Sequence, residues 1–160
     1  MSTVGTDVYD TVAAADTYWT ARGNETWLDS DDKEVYLIKA TDWLDRNFTW
    51  RGTRLTEAQR LGWPRADAYD DDEYQIGLTE APWQVKEAMF IVADLFRDGT
   101  YDLTGVLTSN NRSLKRQKVD VIEVEYDPGS RLPGADVVTH VIKLLRPVML
   151  TSGEGRLLRV

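Results

Sequence analysis

The sequence predicts a mainly α fold, a small bundle of about four helices with a long irregular loop, a short β-strand or hairpin and an extended C-terminal tail. Three observations carry this. Four segments repeat apolar residues at helical spacing, and each is bounded by a capping residue or by a Gly or Pro stop. Only the stretch VDVIEVEY, residues 119–126, alternates in the manner of a strand. After Trp50 the helical pattern lapses for about thirty residues, a length that is uncommon in a compact domain unless the loop is functional or packs on its own side chains.

Thr11 can cap a first helix running to about Arg22, with Ala15, Tyr18, Trp19 and Arg22 on one face and Gly23 as a left-handed stop. The second is expected to start at Asp29 and Ser30, with Asp31, Asp32 and Glu34 in a first turn where the helix dipole favours anions. Leu37, Ala40, Thr41, Leu44 and Phe48 form its stripe, and Tyr36 and Trp43 lie beside it. Within the long loop, Leu55 to Leu61 supports one short helical turn at most. Pro82 opens the clearest helix, in which Val85, Ala88, Met89, Val92, Leu95 and Phe96 share a face until Gly99. Phe90 and Ile91 add a second apolar side, as expected of a central helix. Val138, Val141, Ile142 and Leu145 mark a last helix that stops at Arg146-Pro147. The chain is thus read as one domain over 1–146, with a basic arm at 105–118, followed by a C-terminal tail at 147–160.

Composition removes much chemistry. With no cysteine and the single histidine His140, thiolate nucleophiles, disulfides and two-histidine metal motifs are excluded. No phosphate loop, dinucleotide fingerprint or nucleophile elbow occurs, so the protein is expected not to be an enzyme and no cofactor is implied. No apolar run is long enough for a membrane span and the N-terminus lacks the layout of a signal peptide, so a soluble protein made inside a cell is expected. Asp70, Asp71, Asp72 and Glu73 do not follow an EF-hand, because Gly77 falls two positions late, and a solvated acidic loop is the expectation.

Net charge is −8, with 17 acids and 8 bases in residues 1–80 against 10 acids and 11 bases in 81–160. An acidic front half argues against wrapping duplex DNA, whose affinity comes largely from phosphate neutralisation. Single-stranded DNA is a separate case. In WRGTRLTEAQRLGWPR, residues 50–65, tryptophans alternate with arginines that could stack bases and hold phosphates. The competing expectation is structural: Trp50 and Trp63 anchor the loop to the core, Gly52 and Pro64 shape it, and Arg51 and Arg65 bond carbonyls that no helix or strand satisfies. The basic arm, with Arg112, Lys115, Arg116 and Lys118, could meet Asp70–Glu73 of a neighbouring copy if identical subunits close into a ring.

The succession AAADTYWTARG, KATDWLDRNFTWRG, QRLGWPR and APWQVKEA resembles a family of small tailed-phage head-tail connector, or adaptor, proteins, whose members are often labelled DnaT-like single-stranded-DNA-binding proteins. The likeness covers about residues 12–97. It implies a virion structural protein of the neck, made in the host cytoplasm and forming a ring, typically of about twelve copies, between the portal protein and the tail or stopper protein. DNA would then pass through without specific binding, and no membrane would be involved. It further implies portal docking by a C-terminal segment, here Arg156, Leu157, Leu158 and Val160. The alternative is a single-stranded-DNA-binding accessory protein.

Overall fold

The computed structural model describes residues 2–99 and 135–150. They form five helices, α1 (Val12–Thr20), α2 (Glu25–Leu28), α3 (Lys33–Asn47), α4 (Trp83–Asp98) and α5 (Ala135–Leu145), and a two-stranded antiparallel hairpin of β1 (Thr53–Arg54) and β2 (Arg65–Ala66). The fold is therefore mainly helical, as the spacing predicts, and its short hairpin lies within the long irregular loop, where no strand is expected. The expected strand at 119–126 lies outside the described residues, as do the basic arm and the last ten residues.

α4 is the centre. Val85, Ala88, Met89, Val92 and Leu95 are buried on the expected stripe, and Phe90, Ile91 and Ala93 are buried on the other sides. It packs most extensively against α3 and then against α5. α3 contributes Leu37, Ala40, Thr41, Trp43 and Leu44, while α5 contributes Val138, Val141 and Leu145. Burial of this apolar surface, at roughly 25 cal/mol per Å², is the main force holding the three helices together. α4 ends at Gly99, whose φ of +68° accepts the left-handed turn.

Thr11 caps α1, its hydroxyl accepting from the Ala14 N–H at 3.1 Å. The Arg22 guanidinium lies 3.4 Å from the centre of the Tyr18 ring, a cation–π contact at the helix end.

The start of the second expected helix needs correction. Asn24 caps an additional short helix, α2, by accepting from the Trp27 N–H at 3.1 Å, and Asp29 closes it. α3 therefore begins only at Lys33, and Asp31 and Asp32 lie before its first turn. The reason is Trp27, fully buried with its indole N–H donating to Asp16 at 3.0 Å, which requires a helical turn of its own. In the long loop, the expected turn near 55–61 is a single hydrogen-bonded turn, Gln59 N–H to Thr56 C=O at 3.3 Å.

The loop closes on the end of the last helix. Trp50 and Met149 form an antiparallel bridge, Leu150 N–H donates to Thr49 C=O at 2.8 Å, and Val148 is fully buried. Residues 148–150, given to the tail from the sequence, are thus part of the domain, because Val148 completes the core under α5.

Asp45 is the polar counterpart of this packing. Its carboxylate accepts from the Tyr9 hydroxyl, from the Trp50 indole N–H at 3.0 Å and from the Gly62 N–H at 2.8 Å. Burial, reinforced by the adjacent Asp45 charge, raises the Tyr9 phenol well above its ordinary 10.0. A raised phenol stabilises the fold fully below pH 10, and this is lost as pH rises further, because the unfolded chain ionises first. Melting temperature is expected to fall above about pH 10, more steeply in the parent than in Tyr9→Phe; parallel alkaline melts of the two would refute this.

Candidate nucleic-acid interface

The irregular loop is built by its arginines and one glutamine. Arg51 donates to the carbonyls of Met149 at 3.3 Å and Tyr69 at 3.1 Å and to the Asp71 carboxylate at 2.8 Å. Arg65 donates to the carbonyls of Arg51 at 2.6 Å, Gly62 at 3.0 Å and Gly52 at 2.7 Å. The Gln59 amide donates to Leu61 C=O at 2.8 Å and Pro64 C=O at 2.9 Å. These contacts satisfy backbone groups for which β1 and β2 are too short. Trp50 is 4% exposed and Trp63 fully buried, their rings edge to face at 6.2 Å, and the Trp63-Pro64 peptide is cis. Gly77, at φ +63°, lies against the Trp63 ring, where a Cβ would collide with it.

This geometry withdraws both tryptophans from base stacking, since neither offers a face to solvent. It leaves Arg54 and Arg60, which the structure brings together with Arg65 around a recess of about 260 Å³. Arg54 is exposed, with one guanidinium N–H bonded to Gln59 C=O at 3.1 Å. Arg60 is paired with Asp7 at 3.0 Å, but its side chain is 64% exposed, and so open a pair contributes little and can exchange partners. Burial, and after it the charge of Arg54, lowers the Arg65 pKa, while Asp45 acts in the opposite direction. The one carboxylate lining the recess is Asp45, whose oxygens are occupied by Tyr9, Trp50 and Gly62. The exposed guanidiniums of Arg54 and Arg60, with Arg65 fixed behind them by its three carbonyls, can hold a phosphate oxygen once Arg60 exchanges Asp7 for it.

The acidic run is a self-contained turn. Asp70 accepts from the N–H groups of Asp72 at 3.0 Å and Tyr74 at 2.9 Å, Tyr69 bridges Gln75, and Asp71 is the partner of Arg51 in its own chain. Glu73 occupies the left-handed region at φ +66°. Among the described residues no group of three or more His, Asp or Glu side chains could hold a metal ion. His140 is exposed on α5. Arg112, Lys115, Arg116 and Lys118, and Arg156, Leu157, Leu158 and Val160, lie outside the described residues.

One exposed aromatic was not singled out from the sequence. Trp83 starts α4 and is 60% exposed, beside a groove of about 530 Å³ that Gln84 also lines. The signal was available, because Trp83 falls outside the stripe Val85, Ala88, Met89, Val92 that defines the buried face.

Fold and recess together define a small helical domain with an arginine-lined recess on a loop held by side-chain hydrogen bonds to its own carbonyls. The family described as "Putative DnaT-like ssDNA binding protein" matches residues 2–160, and the chain belongs to it. No curated protein and no solved structure gives a significant match. The match overturns the connector reading, and with it the portal, the tail or stopper protein, the ring and the passage of DNA without binding. Among the segments that carried that resemblance, the expected loop anchors Trp50, Arg51, Gly52, Trp63, Pro64 and Arg65 build the loop and its core contacts. Their roles are structural, and residues that build a loop do not specify an assembly partner.

Proposed function

We propose that this protein is a non-catalytic accessory protein that binds single-stranded DNA, gripping its phosphates at the recess of Arg54, Arg60 and Arg65. The observation that carries the reading is the recess itself, where the guanidiniums of Arg54, Arg60 and Arg65 gather beside an already engaged Asp45 and the exposed Arg60–Asp7 pair is open to exchange. Family membership supports it. The overall charge of −8 restricts it: attraction is local, few phosphates are neutralised, and affinity depends on low salt.

The test is fluorescence anisotropy with a labelled single-stranded oligonucleotide over a salt series. Two or three phosphate contacts give a slope of log K against log salt of roughly −1.4 to −2.1, at about −0.7 per contact on single strands. The double variant Arg54→Ala/Arg60→Ala is expected to remove most of that slope without changing the melting temperature, since both side chains are exposed. Absence of binding by the parent at low salt, or an unchanged slope in the double variant, would refute the proposal.

A further inference from the structure

We infer that the groove at the start of α4 is a nucleobase subsite, with the Trp83 indole as its stacking surface. This rests on the single-stranded-DNA reading and adds a second contact of different chemistry. Of the six tryptophans Trp83 alone is exposed, at 60%, whereas the other five are buried or half-buried. Ile76, Leu78 and Pro82 continue an apolar wall beside it, and the groove of about 530 Å³ falls within the range of small-ligand sites.

Two features point to a base rather than a phosphate. The carboxylates of Asp70 and Glu80 line the groove against the single ammonium of Lys86, which is held by Glu80 at 2.5 Å and Asp10 at 3.4 Å, so an anion is repelled. Gln84, only 9% exposed, lines the same groove, and its side-chain oxygen accepts no hydrogen bond. The oxygen is itself buried, so an N–H donor reaches it only if the Gln84 side chain turns toward the groove. Every base offers such a donor, an exocyclic amino group on adenine, cytosine and guanine and the ring N–H on thymine. The groove therefore favours an uncharged base on an aromatic face, with the carboxylates as acceptors for its N–H groups.

The two contacts are adjoining. The Arg65 N–H donates to Gly77 C=O at 2.8 Å, and Arg65 lines the cationic recess while Gly77 lines the Trp83 groove. One strand can thus present phosphates to the arginines and a base to Trp83.

The experiment compares oligo(dC) and oligo(dT) binding by the parent, Trp83→Ala and Trp83→Phe, with intrinsic fluorescence and melting as companion readouts. Stacking at this position is expected to make Trp83→Ala bind oligo(dC) about tenfold more weakly, with most affinity kept by Trp83→Phe and melting unchanged. The indole emission of the parent is expected to be quenched on binding. If the parent binds both oligonucleotides but Trp83→Ala binds as well as the parent, the subsite is refuted and the DNA-binding reading stands. If Trp83→Ala changes only the sedimentation of the free protein, the groove belongs to a second copy and the inference is wrong. If the parent binds neither oligonucleotide at low salt, the DNA-binding reading itself fails, and this inference with it.

Discussion

Trp63→Ala is expected to lower folding stability by about 3–5 kcal/mol, the range for truncating a fully buried large aromatic. For a chain of 160 residues this is a fall of roughly 6–20 °C in melting temperature, read by circular dichroism. The size follows from what the ring supports. Trp63 packs edge to face on Trp50, whose ring in turn meets Phe48 at 5.9 Å and so reaches the end of α3. On its other side Gly77 approaches the ring so closely that no side chain fits between them. A cavity here has backbone on one wall and aromatic rings on the other, neither of which collapses readily, so the loss belongs in the upper part of the range. Trp63→Phe is expected to cost less, because the Trp63 indole N–H is buried without a partner and phenylalanine removes that donor. A Trp63→Ala protein that melts with the parent would mean that the loop is anchored elsewhere.

The helical part of this fold was legible because burial by α4 and α3 imposes a period that few other requirements disturb. Every member of the stripe Leu37, Ala40, Thr41, Leu44 and Phe48 is buried, and Thr41 is accommodated by donating to Leu37 C=O at 2.9 Å. α2 was missed because a helix of four residues has no period to detect. Its only signal is Asn24 placed three residues before Trp27, where the Asn24 side chain accepts the Trp27 N–H. The site was legible in part. Arginines in a loop rich in Gly and Pro announce carbonyl bonding, yet which arginines are consumed and which stay open depends on partners distant in sequence. Arg51 is spent on Met149, 98 positions away, whereas Arg54 meets only Gln59, five positions away. Asp45 gave no sign of its role, being one acid among many on a helix whose far end reaches the loop.

The structure also explains how fold-determining residues suggested the wrong partner. The segments WRG and WPR are specific because their arginine and tryptophan contacts are interlocked: Arg65 bonds the carbonyls of Arg51 and Gly52, and Trp63 packs on Trp50. Such residues identify a loop architecture with confidence in any protein that uses it. The residues that would meet a partner, Arg54, Arg60 and Trp83, are the exposed ones, and a local pattern marks only Trp83, by its place outside the buried stripe of α4.

Asp45→Asn is expected to move stability and DNA affinity in opposite directions. The carboxylate receives three donors, the Tyr9 hydroxyl, the Trp50 indole N–H and the Gly62 N–H. An asparagine keeps one acceptor oxygen and puts an NH2 group where the Gly62 N–H donated to Oδ2, so one donor faces another. The loss is about 1–3 kcal/mol for the orphaned group. Asp45→Ala strands all three donors, and because the recess admits water to some of them a loss of about 3 kcal/mol or more is expected rather than the full sum. The electrostatic effect has the other sign. Asp45 is the negative charge that offsets Arg65, so its neutralisation leaves the recess more positive toward an incoming phosphate. A few-fold tighter binding of Asp45→Asn to single-stranded DNA is expected at low salt, at a temperature well below its lowered melting point, with a salt slope no shallower than that of the parent. Melting curves and anisotropy on the same preparations separate the two effects. Weaker binding together with a shallower slope would show that the phosphate is held somewhere other than beside Arg54, Arg60 and Arg65.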